Sequence, residues 1–97
     1  MRLGHRLLLI VGHTLGDFAL PLMQTQCKRA GTTLEEMTPE DADAILPVVE
    51  RVVSGFVLRP ADLAAVMHEL RLEVGAERFA DAVRARERSG APTEGSA

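Results

Sequence analysis

The sequence predicts an all-α domain, a compact bundle of three to four helices. Three observations carry that reading: apolar residues recur at three-and-four spacing, glycine and proline punctuate the chain, and no second strand-like run is present. Hydrophobic residues make up 46% of the 97, yet only Phe18, Phe56 and Phe79 are aromatic, so the core falls to Leu, Val, Ile, Ala and Met. Cores of that kind are typical of helices packed on helices. Length suits one domain over residues 1–88, and residues 89–97 (SGAPTEGSA) are polar and small enough to predict a disordered tail.

The first element is the longest apolar stretch, Leu7 to Ala30 (LLLIVGHTLGDFALPLMQTQCKRA). Leu7, Leu8, Val11, Leu15, Phe18, Leu22 and Ala30 follow one helix face, and Leu9, Ile10, Leu20 and Met23 lie off it. A helix apolar on more than one side is either central in its own domain or buried against another chain. Pro21 removes the hydrogen bond to the Asp17 carbonyl, predicting a bend or boundary near Phe18 to Pro21. Leu7 to Val11 alone also reads as a short strand, since branched apolar runs are ambiguous by periodicity. Lys28 and Arg29 complement the helix dipole, and Gly31 marks the stop.

The linker from Thr32 to Met37 carries a Thr33/Glu36 capping-box spacing, with Leu34 and Met37 expected to fold under the helices. Thr38-Pro39-Glu40-Asp41 is the best-marked start, predicting a second helix over 39–57. Its apolar face is Ala42, Ile45, Leu46, Val49, Val52, Val53 and Phe56, with Pro47 on the outer side. Pro60 and Asp62 open a third helix over 60–74 on Leu63, Val66, Met67, Leu70 and Val74. Gly75 is expected to stop it, leaving a last helix over 76–88 on Phe79, Ala80 and Val83. If Gly75 is tolerated, at roughly 1 kcal/mol against alanine, the two join into one.

Charge narrows the function. Residues 1–30 carry +3, residues 31–57 carry −5 and residues 58–97 carry −1, for a net −3. An acidic middle argues against a nucleic-acid grip, which clusters Lys and Arg. MRLGHR before LLLIVG has the order of a secretory signal, but no small-residue cleavage site follows, and His13, Thr14 and Asp17 interrupt the run too early for a membrane span of ~20 residues. The expectation is a cytoplasmic chain without nucleic-acid or membrane partners. A single cysteine, Cys27, excludes an internal disulfide.

Catalytic and cofactor chemistry find no motif. His5, His13 and His68 show no metal-ligand spacing, the glycines are scattered, and the carboxylates at 35–50 lie at a linker and a helix start. Gly12 and Gly16 form a G-x-x-x-G pair that permits close helix approach. Asp17 is read as exposed. Arg84, Arg86 and Arg88 read as a solvated helix end.

LGDFALPLMQTQCKRAG, the linker TTLEEM, TPEDADAILPVVERVVSGF and the later VGAERFADAV together resemble small helical modules that accompany bacterial and archaeal signalling and polarity proteins. The resemblance covers residues 15–57 best, while Leu58 to Val74 looks like an addition. It implies a non-enzymatic, protein-binding adaptor or regulator with no catalytic, cofactor or metal residues. The surplus apolar side of the first helix then nominates Leu9, Ile10, His13, Asp17, Leu20 and Met23 as partner-binding, toward another protein or a second copy in a homo-oligomer. Two other classes stay open: a helix-turn-helix DNA-binding regulator built on helices two and three, and a small enzyme with an inter-subunit site at Asp17 or His13.

Overall fold

The computed structural model describes residues 1–89; the expected tail from residue 90 onward lies outside the described residues, and Ser89 closes the last helix. The chain is helical throughout its regular structure: α1 (Leu3–Leu15), a 3-10 turn (Gly16–Phe18), α2 (Ala19–Arg29), α3 (Pro39–Ser54) and α4 (Pro60–Ser89). Counting α1 and α2 as one broken helix, the bundle has three members. Leu7 to Val11 is helix, not strand.

The break falls where a boundary was expected, but its seat is Gly16 and not Pro21. Gly16 takes φ +58°, a left-handed conformation that glycine adopts without steric cost. Pro21 occupies the third helical position of α2, where its missing N–H forfeits no intrahelical bond. The turn reverses the chain. A straight helix would put Gly4 and Arg29 roughly 37 Å apart at 1.5 Å per residue. Instead Gly4 abuts the Leu34 backbone, only five residues beyond Arg29, so closely that an added Cβ would overlap it.

α2 ends in a complete Schellman motif, with Gly31 at φ +76°, its N–H bonding the Lys28 carbonyl at 3.2 Å and the Thr32 N–H bonding the Cys27 carbonyl at 2.9 Å. Thr33 and Glu36 make the expected short turn, the Glu36 N–H donating to Thr33 Oγ1 at 3.1 Å. α3 opens on a capping box: the Asp41 N–H donates to Thr38 Oγ1 and the Thr38 N–H to Asp41 Oδ2, both at 3.1 Å. α3 stops at Ser54, short of Val57, and Phe56 leaves the core to lie against Phe18 with ring centroids 5.9 Å apart.

The core is a row from α1 and α2 at every fourth residue, Leu3, Leu7, Val11, Leu15, Ala19, Met23 and Cys27, packed on Ala42, Ile45, Leu46, Val49 and Val53 of α3 and on Met67, Leu70 and Val74 of α4. Met37 is buried with them, and Leu34 packs partly against the cluster. α4 runs antiparallel to α3, because Arg71 pairs with Glu50 and Arg78, seven residues on, pairs with Asp43, seven residues back.

α4 is one helix of 30 residues and does not stop at Gly75. Gly75 is helical, lacks a positive φ and faces open space. That continuity moves the last apolar stripe. At about 100° per residue, a helix whose inner face is Leu63, Met67, Leu70 and Val74 must carry Phe79 and Val83 on its outer side. Both are exposed, Phe79 at 71%.

Gly75→Ala should therefore stabilise the fold by roughly 1 kcal/mol, whereas Gly4→Ala should destabilise it by roughly 1–3 kcal/mol, since only backbone movement relieves the overlap with Leu34. Urea unfolding of both variants, followed by circular dichroism, checks the opposite signs.

Candidate functional site

Doubling α1 back on α2 buries one face of each and leaves the seam between them open on the outside. Toward the turn this seam is a groove of about 480 Å³ lined by Leu8, Leu9, Gly12, His13, Gly16, Asp17, Ala19 and Leu20. Toward the other end a cleft of about 590 Å³ lies among His5, Leu8, Leu20, Gln24, Cys27, Lys28 and residues Thr32 to Glu35 of the linker. Leu8 and Leu20 border both, so the two hollows share a wall.

Of the six residues nominated from the sequence, Leu9, His13, Asp17 and Leu20 line the groove together. Leu9 is 56% exposed and Leu20 is 44% exposed, large values for leucines not facing a core. Ile10 is half-buried and packs on the core edge. Met23 is a correction: it is fully buried in the row of every-fourth residues and presents no side chain to a partner. Periodicity alone misplaced it because the helical phase restarts at the Gly16 turn. The stripe extrapolated from Leu7 through Phe18 and Leu22 runs out of register in α2, so Phe18 emerges at 67% exposure and Met23 turns inward.

Gly12, between Leu9 and His13, has nothing within 4 Å of a would-be Cβ. The groove floor is thus backbone, open to an incoming side chain. Cys27 forms part of the inner wall of the cleft but is only 2% exposed, and burial, with the Asp41 charge adding to it, pushes its thiol up from the usual range. A thiol covered in this way packs with the core, where Cys27 ends the row from α1 and α2. Among the described residues, no three His, Cys, Asp or Glu side chains come together as a metal site.

On the opposite flank a charged cluster fastens α1 to α4, and nothing in the sequence pattern announced it. Arg6 Nε donates to Glu73 Oε1 at 2.8 Å and an Arg6 terminal nitrogen donates to Glu77 Oε1 at 2.7 Å, with Arg84 joining Glu77 and Asp81. The Arg6 guanidinium holds the Glu77 carboxyl below the usual glutamate range. Joining residues 67 and 71 apart in sequence, these bonds have no local spacing to betray them.

The stretch Leu3–Arg29 has the length and composition of a membrane-crossing helix. Its two halves, of 13 and 11 residues, fold back on each other, each shorter than the ~20 residues a span needs. No protein-family model matches the chain, and neither curated proteins nor solved structures give a significant match.

The Glu77 shift sets a pH dependence. A depressed carboxyl contributes stability that is fully present above its unfolded pKa of about 4.3 and is lost as pH falls through the lower folded value. Arg6→Met should cost about 1 kcal/mol at pH 7, with the difference from the parent chain shrinking as pH drops below about 4. Urea midpoints at pH 7 and pH 3 measure it.

Proposed function

We propose that this chain is a non-enzymatic protein–protein interaction module, an adaptor or regulator of a bacterial signalling or polarity system acting in the cytoplasm, and that it binds its partner through the outer groove of α1 and α2. The observation that supports this most is the gathering of Leu9, His13, Asp17 and Leu20 around the open backbone of Gly12. Exposed leucines on a grooved surface, flanked by a few polar groups, are the features by which a protein partner's apolar side chain is seated and oriented. The partner supplies a small or medium apolar side chain over Gly12, and His13 and Asp17 supply the polar rim.

The helix-turn-helix reading draws no support from α3 lying antiparallel alongside α4, or from the acids on its surface. An enzyme reading draws none from His13 and Asp17, both exposed on a shallow surface.

The test places a photo-crosslinking residue at Gln24, beside the groove, in the parent chain and in Leu9→Glu/Leu20→Glu. The parent should capture a discrete protein from its native cytoplasm, and the double variant should lose at least ~90% of it, equal to more than 1.4 kcal/mol of binding, with an unchanged melting temperature. Equal capture by both would remove the groove from the binding surface.

A further inference from the structure

The cleft at the linker end of the α1–α2 seam is bordered by two opposite charges that do not meet. Lys28, in the last turn of α2, and Glu35, in the linker, both line this hollow of about 590 Å³. Among the described residues neither side chain forms an ion pair or a hydrogen bond, with the other or with any third group. The Schellman motif that ends α2 sets up this arrangement, because it turns the chain so that Glu35 returns to the cleft that Lys28 borders. His5 lines the cleft from α1 and is half-buried, also without a side-chain partner. The apolar part of the lining is Leu8, Leu20 and Leu34. On α2, Leu20 and Lys28 lie two turns apart, about 12 Å along the axis. The cleft is therefore apolar toward the Gly16 turn and charged toward the linker.

We propose that this cleft binds a free α-amino acid with an aliphatic side chain. Its volume lies within the range of roughly 300–1,000 Å³ usual for small-molecule sites. The two charges decide against simpler occupants. A carboxylic acid gains Lys28 but meets Glu35, an amine gains Glu35 but meets Lys28, and a neutral apolar compound covers both charges while pairing neither. A zwitterion gives each its counter-charge and brings no net charge into the cleft. In an α-amino acid the ammonium and the carboxylate are borne on one carbon, so both are held at the charged end while the side chain runs toward Leu8 and Leu20. His5 adds a hydrogen-bonding ring nitrogen from the α1 side. The site occupies the other end of the seam from the groove around Gly12 and does not rest on the partner proposed there.

Titration of the isotope-labelled full chain with L-leucine, followed through its amide resonances, should give saturable shifts centred on His5, Lys28 and Thr32 to Glu35. Isocaproate, which lacks the ammonium, and isoamylamine, which lacks the carboxylate, should each bind at least roughly fivefold more weakly. Glu35→Gln should remove the difference between leucine and isocaproate, and Lys28→Gln the difference between leucine and isoamylamine. Both variants should keep the parent melting temperature, since both side chains are exposed. Asp17→Asn, in the groove, should leave leucine binding unchanged. Shifts that do not saturate, equal binding of leucine and either single-charge analogue by the parent chain, or full leucine affinity in either cleft variant each overturns the proposal.

Discussion

The reversal at Gly16 is the constraint on which the remaining architecture rests. A chain this short has little apolar surface to spare, and its longest apolar run can contribute a wall of the core only by folding in two. A left-handed residue followed by one 3-10 turn achieves that. Side chains at every fourth position, from Leu3 to Cys27, then continue as one row across the turn, and α3 and α4 close on it. Among the described residues the same fold-back leaves the outer seam of α1 and α2 without a cover, so Leu9 and Leu20 are exposed as a consequence of how the core is made.

The second determinant is the uninterrupted register of α4. A helix 30 residues long keeps its phase from end to end, and the inner stripe set by Leu63, Met67, Leu70 and Val74 dictates where every later residue points. Arg6 fixes the same helix from outside the core by gripping Glu73 and Glu77, one turn apart on α4. These are partly buried, charge-assisted bonds, stronger than the exposed pairs Arg71–Glu50 and Arg78–Asp43 that align α3.

All three phenylalanines lie largely outside the core, at 67% exposure for Phe18, 49% for Phe56 and 71% for Phe79. The interior is filled by Leu, Val, Ile, Met and Ala, whose small volumes suit close helix approach. Phe18 and Phe56 meet each other beside the Gly16 turn and at the end of α3. The largest apolar side chains thus stand at the surface and leave the interior to aliphatic residues.

The sequence by itself determined the helical class, the Thr38 capping box, the Gly31 stop, the Pro60 start and the apolar stripe of α3 as far as Val53. Each depends on residues within a turn or two of one another, where spacing and capping chemistry act locally. Four of the groove residues were legible too, as apolar or polar groups off the main stripe. Only the tertiary structure decided that the first run doubles back, that Met23 lies inside and Phe56 outside, and that Gly75 continues a helix. Glycine is compatible with a stop or with a continuation, and local chemistry does not choose between them; packing of Met67, Leu70 and Val74 on the row from α1, with Arg6 bridging to Glu73 and Glu77 on either side of that glycine, carries α4 straight through.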